Sequence, residues 1–549
     1  MKVADAIVEI LRREGVEFLM TFPTNPLTES AAAAGMKLIV CRQERVGVGI
    51  ADGFTRVTNG KKIGVFVMQY GPGSENAFAG VATAYSDSVP ILLLPSGHRR
   101  DRAQVWPHFL SSRTFAPVVK SAEVMNLPTQ VAEVMQRAFG QLRIGRFGPV
   151  MVEVPIDVLR EEMGGRLRYT PVKSANSLGN PEDVAKAAGA LLKAQNPVIV
   201  AGQGVLYAEA STELAKLSQM LHIPVLTTLE GKSAFPETHP LSLGSFSLTT
   251  TGQAVHFLKK SDLVMGVGTS FTRHGGGMSV TLPPGKTIIH ITNDPRDINK
   301  DYRADYPVLG DAKLVLRQLL DAVEKSLGGK GRSSTGVEDE LRRVRDAWLN
   351  EWKPRLTSKQ VPINPYRVIW EFISTTNPDD AIVTHDAGSQ RDDLLPFYKA
   401  TLPRSYLGWG KSHQLGTGLG LTIGAKLAKP EKFCVNFMGD AAFGMTGLDF
   451  ETAVRNRLPI TTVVINNSLM GSEKDVMELS HKKFKSRKLG GNYAEMGKAM
   501  GGYAERIEDP EEIAGAFRRA QQQNRRGRAV LLEFITREEF AYSHVKPFG

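Results

Sequence analysis

FCVNFMGDAAFG (Phe433–Gly444), followed after the amphipathic stretch Leu448–Arg457 by ITTVVINN (Ile460–Asn467), decides the fold. Each segment is an apolar run ending in a polar turn, and a helix-forming stretch lies between them. Strand, helix and strand in that order form a parallel pair joined by a right-handed crossover. Asp440 therefore sits at the carboxyl end of one strand and Asn467 at the carboxyl end of the next. Ligands of parallel α/β sheets bind beyond those ends. Gly-Asp alone, or Asn-Asn alone, reads as an ordinary strand-end turn. The two together, 27 residues apart across a strand–helix–strand, are specific.

Reading outward, the same alternation fills the chain and predicts an α/β protein of three doubly wound domains with mostly parallel sheets. The first spans 1–165, with strands at Lys37–Cys41, Ile63–Gln69, Ile91–Ser96 and Val150–Val154. Glu161–Pro181, rich in Gly, Ser, Arg and Pro, reads as a linker. The second spans 182–328, with strands at Pro197–Ala201, Pro224–Leu229, Leu263–Val267 and Thr287–Ile291. Gly328–Gly336 opens a second linker. The third spans 360–549, with strands at Ala381–Thr384, Phe433–Met438, Ile460–Asn466 and Ala529–Ile535. The first and third domains are candidates for a shared fold, although no sequence repeat is visible.

Length and composition agree. A chain of 549 residues exceeds what one core serves, and 42% apolar with 23% charged residues is ordinary globular usage. The two cysteines, Cys41 and Cys434, each lie in an apolar run, which predicts buried thiols and a reducing compartment. Charges throughout Met1–Leu19 argue against a signal peptide, and no run reaches the roughly 18 apolar residues of a membrane span. The expectation is a soluble cytoplasmic protein. The net charge of +11 is scattered and comes with no nucleic-acid-binding motif, so it predicts attraction of small anions and no nucleic-acid partner.

A hard cation explains the Asp440–Asn467 pair. Mg²⁺ takes six oxygens at about 2.1 Å and keeps substrate phosphates among them. A carboxylate, an amide oxygen and one backbone carbonyl supply three, leaving room for two diphosphate oxygens and a water. Gly439, Ala441 and Ala442 are small enough for backbone N–H groups to approach a phosphate at a helix start.

With these residues the sequence resembles the thiamine diphosphate-dependent decarboxylases and carboligases, a family that includes acetolactate synthase, benzoylformate decarboxylase and oxalyl-CoA decarboxylase. Ala441 stands where the family signature has its second glycine. The resemblance continues through RQE (Arg42–Glu44), GIADGFTR (Gly49–Arg56), GPGSENA (Gly71–Ala77), DAGSQ (Asp386–Gln390) and GTGLG (Gly416–Gly420). It implies that Asp440 and Asn467 hold Mg²⁺ with the carbonyl of Leu469, and that Gly388, Ser389 and Gln390 contact the diphosphate. It implies that Leu415 props the cofactor into a bent shape, and that Glu44, bonded to the pyrimidine, activates the thiazolium carbon. It further implies a homodimer or homotetramer with active sites at subunit interfaces, and an anionic carbonyl compound as substrate.

Substrate positions depart from close relatives. Thr24, Asn25, Gln69, Trp106, His108 and Met470 are the candidates for substrate contact; His98, His385 and His413 lie in segments that border the cleft. Ile289–Pro295 resembles the segment that holds FAD in acetolactate synthase and ADP in oxalyl-CoA decarboxylase, without establishing either nucleotide here. The expected activity is cleavage or formation of a carbon–carbon bond beside a carbonyl, on a 2-oxo acid in the manner of acetolactate synthase. A 2-hydroxyacyl-CoA lyase or oxalyl-CoA decarboxylase type is the alternative, and a non-catalytic cofactor-binding regulator is the alternative of another class.

Overall fold

Eighteen strands are described, in three sheets of six, and every pairing among them is parallel. The computed structural model describes residues 1–273, 280–333, 336–545 and 548; residues 334 and 335 of the second linker lie outside that set. The first sheet holds β1 (Phe18–Thr21), β2 (Lys37–Val40), β3 (Gly64–Met68), β4 (Ile91–Gly97), β5 (Ser121–Val124) and β6 (Val150–Pro155), in the order β2-β1-β3-β4-β6-β5. The second holds β7 (Pro197–Ala201), β8 (Val225–Thr228), β9 (Ser242–Phe246), β10 (Leu263–Val267), β11 (Thr287–Thr292) and β12 (Tyr306–Leu309), in the order β12-β11-β10-β7-β8-β9. The third holds β13 (Ala381–His385), β14 (Tyr406–Leu407), β15 (Phe433–Gly439), β16 (Thr461–Asn466), β17 (Tyr503–Ile507) and β18 (Val530–Ile535), in the order β14-β13-β15-β16-β18-β17. First and third sheets thus share one strand order, while the middle sheet is wound differently.

Six strands escape the sequence reading: β1, β5, β9, β12, β14 and β17. Five of them are sheet edges. Central strands such as β3, β4, β7 and β10 are buried along their whole length and read as unbroken apolar runs. An edge strand has solvent along one side and tolerates polar residues, as in SAEV of β5 and YAERI of β17. The helix after Asp440 also differs from expectation. It begins at Asp440 itself, runs to Thr446, yields to a 3₁₀ turn at Gly447–Asp449 and resumes at Phe450–Arg455.

One helix pair locks the first domain to the third. Glu44–Val57 packs on Thr417–Ala428 so closely that glycines form the contact. A Cβ at Gly53 would lie 2.3 Å from the carbonyl oxygen of Leu421, and one at Gly424 would lie 2.2 Å from that of Ile50. Backbone cannot yield as a side chain tip does. Gly53→Ala is therefore expected to destabilise the protein by about 1–3 kcal/mol, read as a lower midpoint in urea unfolding. Beside this contact Arg56, fully buried, pairs with Asp52 and Asp87 and donates to the carbonyl of Gly408 at 3.0 Å. Removing one partner of such a buried group costs about 3–5 kcal/mol. No helix among the described residues is long and apolar enough to cross a membrane. Cys41 and Cys434 are buried free thiols.

Candidate active site

At the tips of β13, β15 and β16 three loops converge. Gly388 adopts φ +103°, a conformation open to glycine, and turns the chain from β13 into the short helix Ser389–Leu394. Gln390 packs against the bare Cα of Gly439, where a Cβ would come within 2.8 Å of its amide nitrogen. Gly471 approaches both Ser389 Oγ and Asn467 Nδ2 closely enough that an added Cβ would touch each, at 3.7 and 3.9 Å. Ser389, Gln390, Gly439, Asp440, Asn467 and Gly471 thus lie together at these strand tips.

Asp440 is the group there with unfinished business. It is buried, and its Oδ2 has no hydrogen-bond partner; Oδ1 accepts from Ala441 N at 3.0 Å. Burial, first among its influences, pushes its pKa up to about 6 against the N–H of Ala441. An orphaned buried carboxylate oxygen is costly unless a cation completes it. Next door, Asn466 Oδ1 accepts from Ser468 N at 2.9 Å, and Asn467 Oδ1 accepts from Leu469 N at 3.0 Å. Ser468 takes φ +57°, so the turn carries the Asn467 amide and the Leu469 backbone past the strand tip. One carboxylate with amide and carbonyl oxygens is the donor set a Mg²⁺–diphosphate pair takes. The residues present fit that group.

Asp386, not singled out from sequence, organises the other side. Its buried carboxylate accepts from the backbone N–H of Ala387, Gly416 and Gly418 at 2.8–2.9 Å, tying the Gly388 loop to the glycine-rich helix. Burial, the first influence, pushes its pKa up to about 6 in spite of those donors. Leu415 is half-buried, and its carbonyl accepts from Arg45, the residue after Glu44.

Glu44 opens its helix at the tip of β2 and is 5% exposed. Its Oε2 accepts from Asn76 Nδ2 at 3.2 Å, and its Oε1 lies against Gly73. Desolvation, ahead of these hydrogen bonds, raises its pKa above the ordinary carboxylate value. The turn before it is fastened across the domain boundary: Asp449 accepts from Arg42 N at 2.8 Å and Gln43 N at 3.1 Å. Asp449, fully buried two turns beyond Asp440, is a second residue the sequence reading missed. A carboxylate among glycines and apolar residues gives no local signal of its partner.

The remaining candidates separate. Asn25 belongs to the scaffold, because both its N–H groups are spent on the carbonyls of Met68 and Leu94 at 3.0 and 3.3 Å. Trp106 is 89% exposed, and Thr24 is exposed at φ +83°. Gln69 lies half-buried beside Gly73. Met470 is half-buried in a loop pinned by Arg487, which donates to its carbonyl at 2.8 Å. His385 is buried and stacked on Trp409, a structural position. His98 and His108 stack on each other.

Comparison with known proteins names the family. Models for the thiamine pyrophosphate enzymes match in three places: the N-terminal TPP binding domain at 1–116, the central domain at 184–319 and the C-terminal TPP binding domain at 386–534. A probable acetolactate synthase large subunit of Methanocaldococcus jannaschii is 30% identical, covering all of this chain and 94% of its own. The chain belongs to the thiamine pyrophosphate enzyme family. Other members include the acetolactate synthase isozyme 3 large subunit of Escherichia coli, 28% identical over 96% of this chain and 94% of its own. The acetolactate synthase large subunit of Parasynechococcus marenigrum is 32% identical over 86% and 78%. This thiamine pyrophosphate enzyme is of the carboligase or lyase type and resembles acetolactate synthase at about 30% identity.

Proposed function

We propose that the protein uses thiamine diphosphate held through Mg²⁺ to cleave or form a carbon–carbon bond beside the carbonyl of a 2-oxo acid. The observation that carries this reading is the unpartnered, buried Oδ2 of Asp440 at the tip of β15, with the Asn467–Leu469 turn at the tip of the neighbouring strand β16. Bound thiamine diphosphate supplies a nucleophilic carbon and an electron sink. Asp440, Asn467 and the Leu469 carbonyl would hold the metal. Gly388, Ser389 and Gln390 would hold the diphosphate, with Gly439, Ala441 and Ala442 leaving room for backbone N–H contact. Leu415 would support the cofactor's bent shape. Glu44, poorly hydrated and fixed by Asn76, would hold a proton at its Oε atoms and pass it to and from the pyrimidine.

Proton and metal compete for Asp440. Its raised pKa means that the folded, metal-free protein keeps this proton up to about pH 6, whereas the unfolded chain loses it near the ordinary carboxylate value. Metal-free stability contributed by this group falls as pH rises between those values. The apparent Mg²⁺ affinity is expected to fall about tenfold per pH unit below about 6, measured by magnesium titration of cofactor binding across pH.

A cavity of about 500 Å³ opens at the tips of β7, β10 and β11, lined by Gly202, Gly204, Gly268 and Thr292 of the middle domain and by Asp87 and Arg146 of the first. It lies where the strand order reverses, between β7 and β10, the place for a nucleotide. FAD or ADP is the proposed occupant, told apart by the visible absorption of the purified protein. Exposed apolar side chains near both halves of the site (Phe78, Tyr85, Met445, Leu448) support a homodimer or homotetramer with the site at the subunit interface. Sedimentation velocity tests it. The function itself is tested by supplying cofactor and Mg²⁺, offering 2-oxo acids and acyl-CoA thioesters, and following CO₂ release. Turnover of thioesters alone would favour the 2-hydroxyacyl-CoA lyase or oxalyl-CoA decarboxylase type. Cofactor binding without turnover would favour a regulator.

A further inference from the structure

We propose that Asp449 of the third domain is the positioning residue for Glu44, holding across the domain boundary the turn that aims its carboxyl; this deepens, and rests on, the function proposed above. Glu44 opens the helix Glu44–Val57, yet that helix start has no cap of its own. Gln43, the residue before it, is extended at φ −133° and ψ 136°, and its side chain makes no capping bond. The start is fixed from the other domain instead. Asp449 Oδ1 accepts from Arg42 N at 2.8 Å, and its Oδ2 accepts from Gln43 N at 3.1 Å. Gln43 Nε2 donates to the carbonyl of Met445 at 3.4 Å, and the Arg45 guanidinium donates to that of Leu415. Residues on both sides of Glu44 are thus tied to the third domain, whereas the Glu44 side chain bonds within the first, to Asn76.

Asp449 is the strongest of these ties. It is fully buried, and Oδ1 also accepts from Thr452 Oγ1 at 2.8 Å, which fixes the carboxylate. Hydrogen bonds to an ionised acceptor are about twice as strong as neutral ones. Arg42 and Glu451 span the same boundary at 2.9 Å, but Arg42 is 53% exposed and such a pair contributes little. Asp449 also ends the segment that Asp440 begins, through the helix Asp440–Thr446 and the turn Gly447–Asp449. One short segment therefore carries the proposed metal ligand at one end and the anchor of Glu44 at the other.

Aim and hydration of Glu44 depend on the same turn. Burial comes first among the influences on its pKa, ahead of its own N–H and Asn76, and raises it. A loosened turn admits water and returns it toward the ordinary carboxylate value. Misplacing a proton-transferring group by about 1 Å costs up to about 10²-fold in rate.

The test uses the full chain and the variants Asp449→Asn, Thr452→Val and Glu451→Gln, each also made with Glu44→Gln. Without cofactor or Mg²⁺, infrared titration of the carboxyl band, each protein minus its Glu44→Gln counterpart, isolates the midpoint of Glu44. Asp449→Asn is expected to lower that midpoint, and Thr452→Val, which keeps the Asp449 charge, to lower it less. With cofactor, Mg²⁺ and pyruvate, Asp449→Asn should lose about 10–100-fold in kcat, with KM and cofactor affinity within about threefold. In the Glu44→Gln background the same change should cost less than about twofold, because it acts through that carboxyl. Glu451→Gln, at the surface of the same boundary, should keep kcat within about twofold. An unmoved Glu44 midpoint, an unchanged kcat, or equal losses with and without Glu44 would each overturn the assignment. If Asp449→Asn does not fold, Thr452→Val decides: its midpoint must fall, and its loss of about threefold in kcat must vanish in the Glu44→Gln background. The titration needs no cofactor, so a wild type without affinity for thiamine diphosphate overturns the proposed function and leaves the midpoint to judge Asp449.

Discussion

Asp440→Ala is expected to abolish magnesium-dependent retention of thiamine diphosphate, lowering its affinity by more than about 100-fold in equilibrium dialysis. The reasoning is electrostatic. Mg²⁺ needs anionic oxygen from the protein, and among the oxygens of the Asn467–Leu469 turn and β15 tip only Asp440 carries charge. The folded protein already bears the cost of burying that carboxylate with one oxygen unpartnered. Removing it relieves that cost, so Asp440→Ala should fold at least as stably as the metal-free wild type. Loss of cofactor together with unchanged or higher unfolding midpoint separates a ligand role from a structural one.

Glu44→Gln acts on the opposite side and should leave binding alone. The amide preserves size and can still pair with Asn76, but it holds no exchangeable carboxyl proton. Turnover is expected to drop by about 10²–10⁴-fold with cofactor affinity within a few-fold of wild type. If Glu44→Gln keeps full activity, its desolvated position at the start of the helix Glu44–Val57 is a packing feature only.

Much of this site could be read from the sequence because its elements lie at the ends of strongly apolar strands. Phe433–Gly439 and Thr461–Asn466 are central strands, buried along most of their length, and the residues that follow them are fixed by topology. Asp386 and Asp449 were illegible for the opposite reason. Besides Ala387 and Thr452 close by, their partners are backbone N–H groups 30 to 407 residues away, and backbone groups carry no sequence signature. The edge strands were missed because half-exposed segments such as SAEV do not stand out from loops. Asn25, a polar residue in a loop at a strand tip, looks available in the sequence, whereas the fold engages its amide with the carbonyls of Met68 and Leu94. The glycines of the helix contact are visible as GIADG and as Gly420 and Gly424, but only the structure shows that Gly53 and Gly424 admit another backbone.

Calorimetric titration of thiamine diphosphate into the wild-type protein, with Mg²⁺ and then with a chelator in its place, tests the account most directly. Saturable binding that disappears with the chelator is the predicted result. Equal binding in both conditions, or none in either, would contradict the assignment of Asp440 and the Asn467–Leu469 turn as a metal–diphosphate clamp.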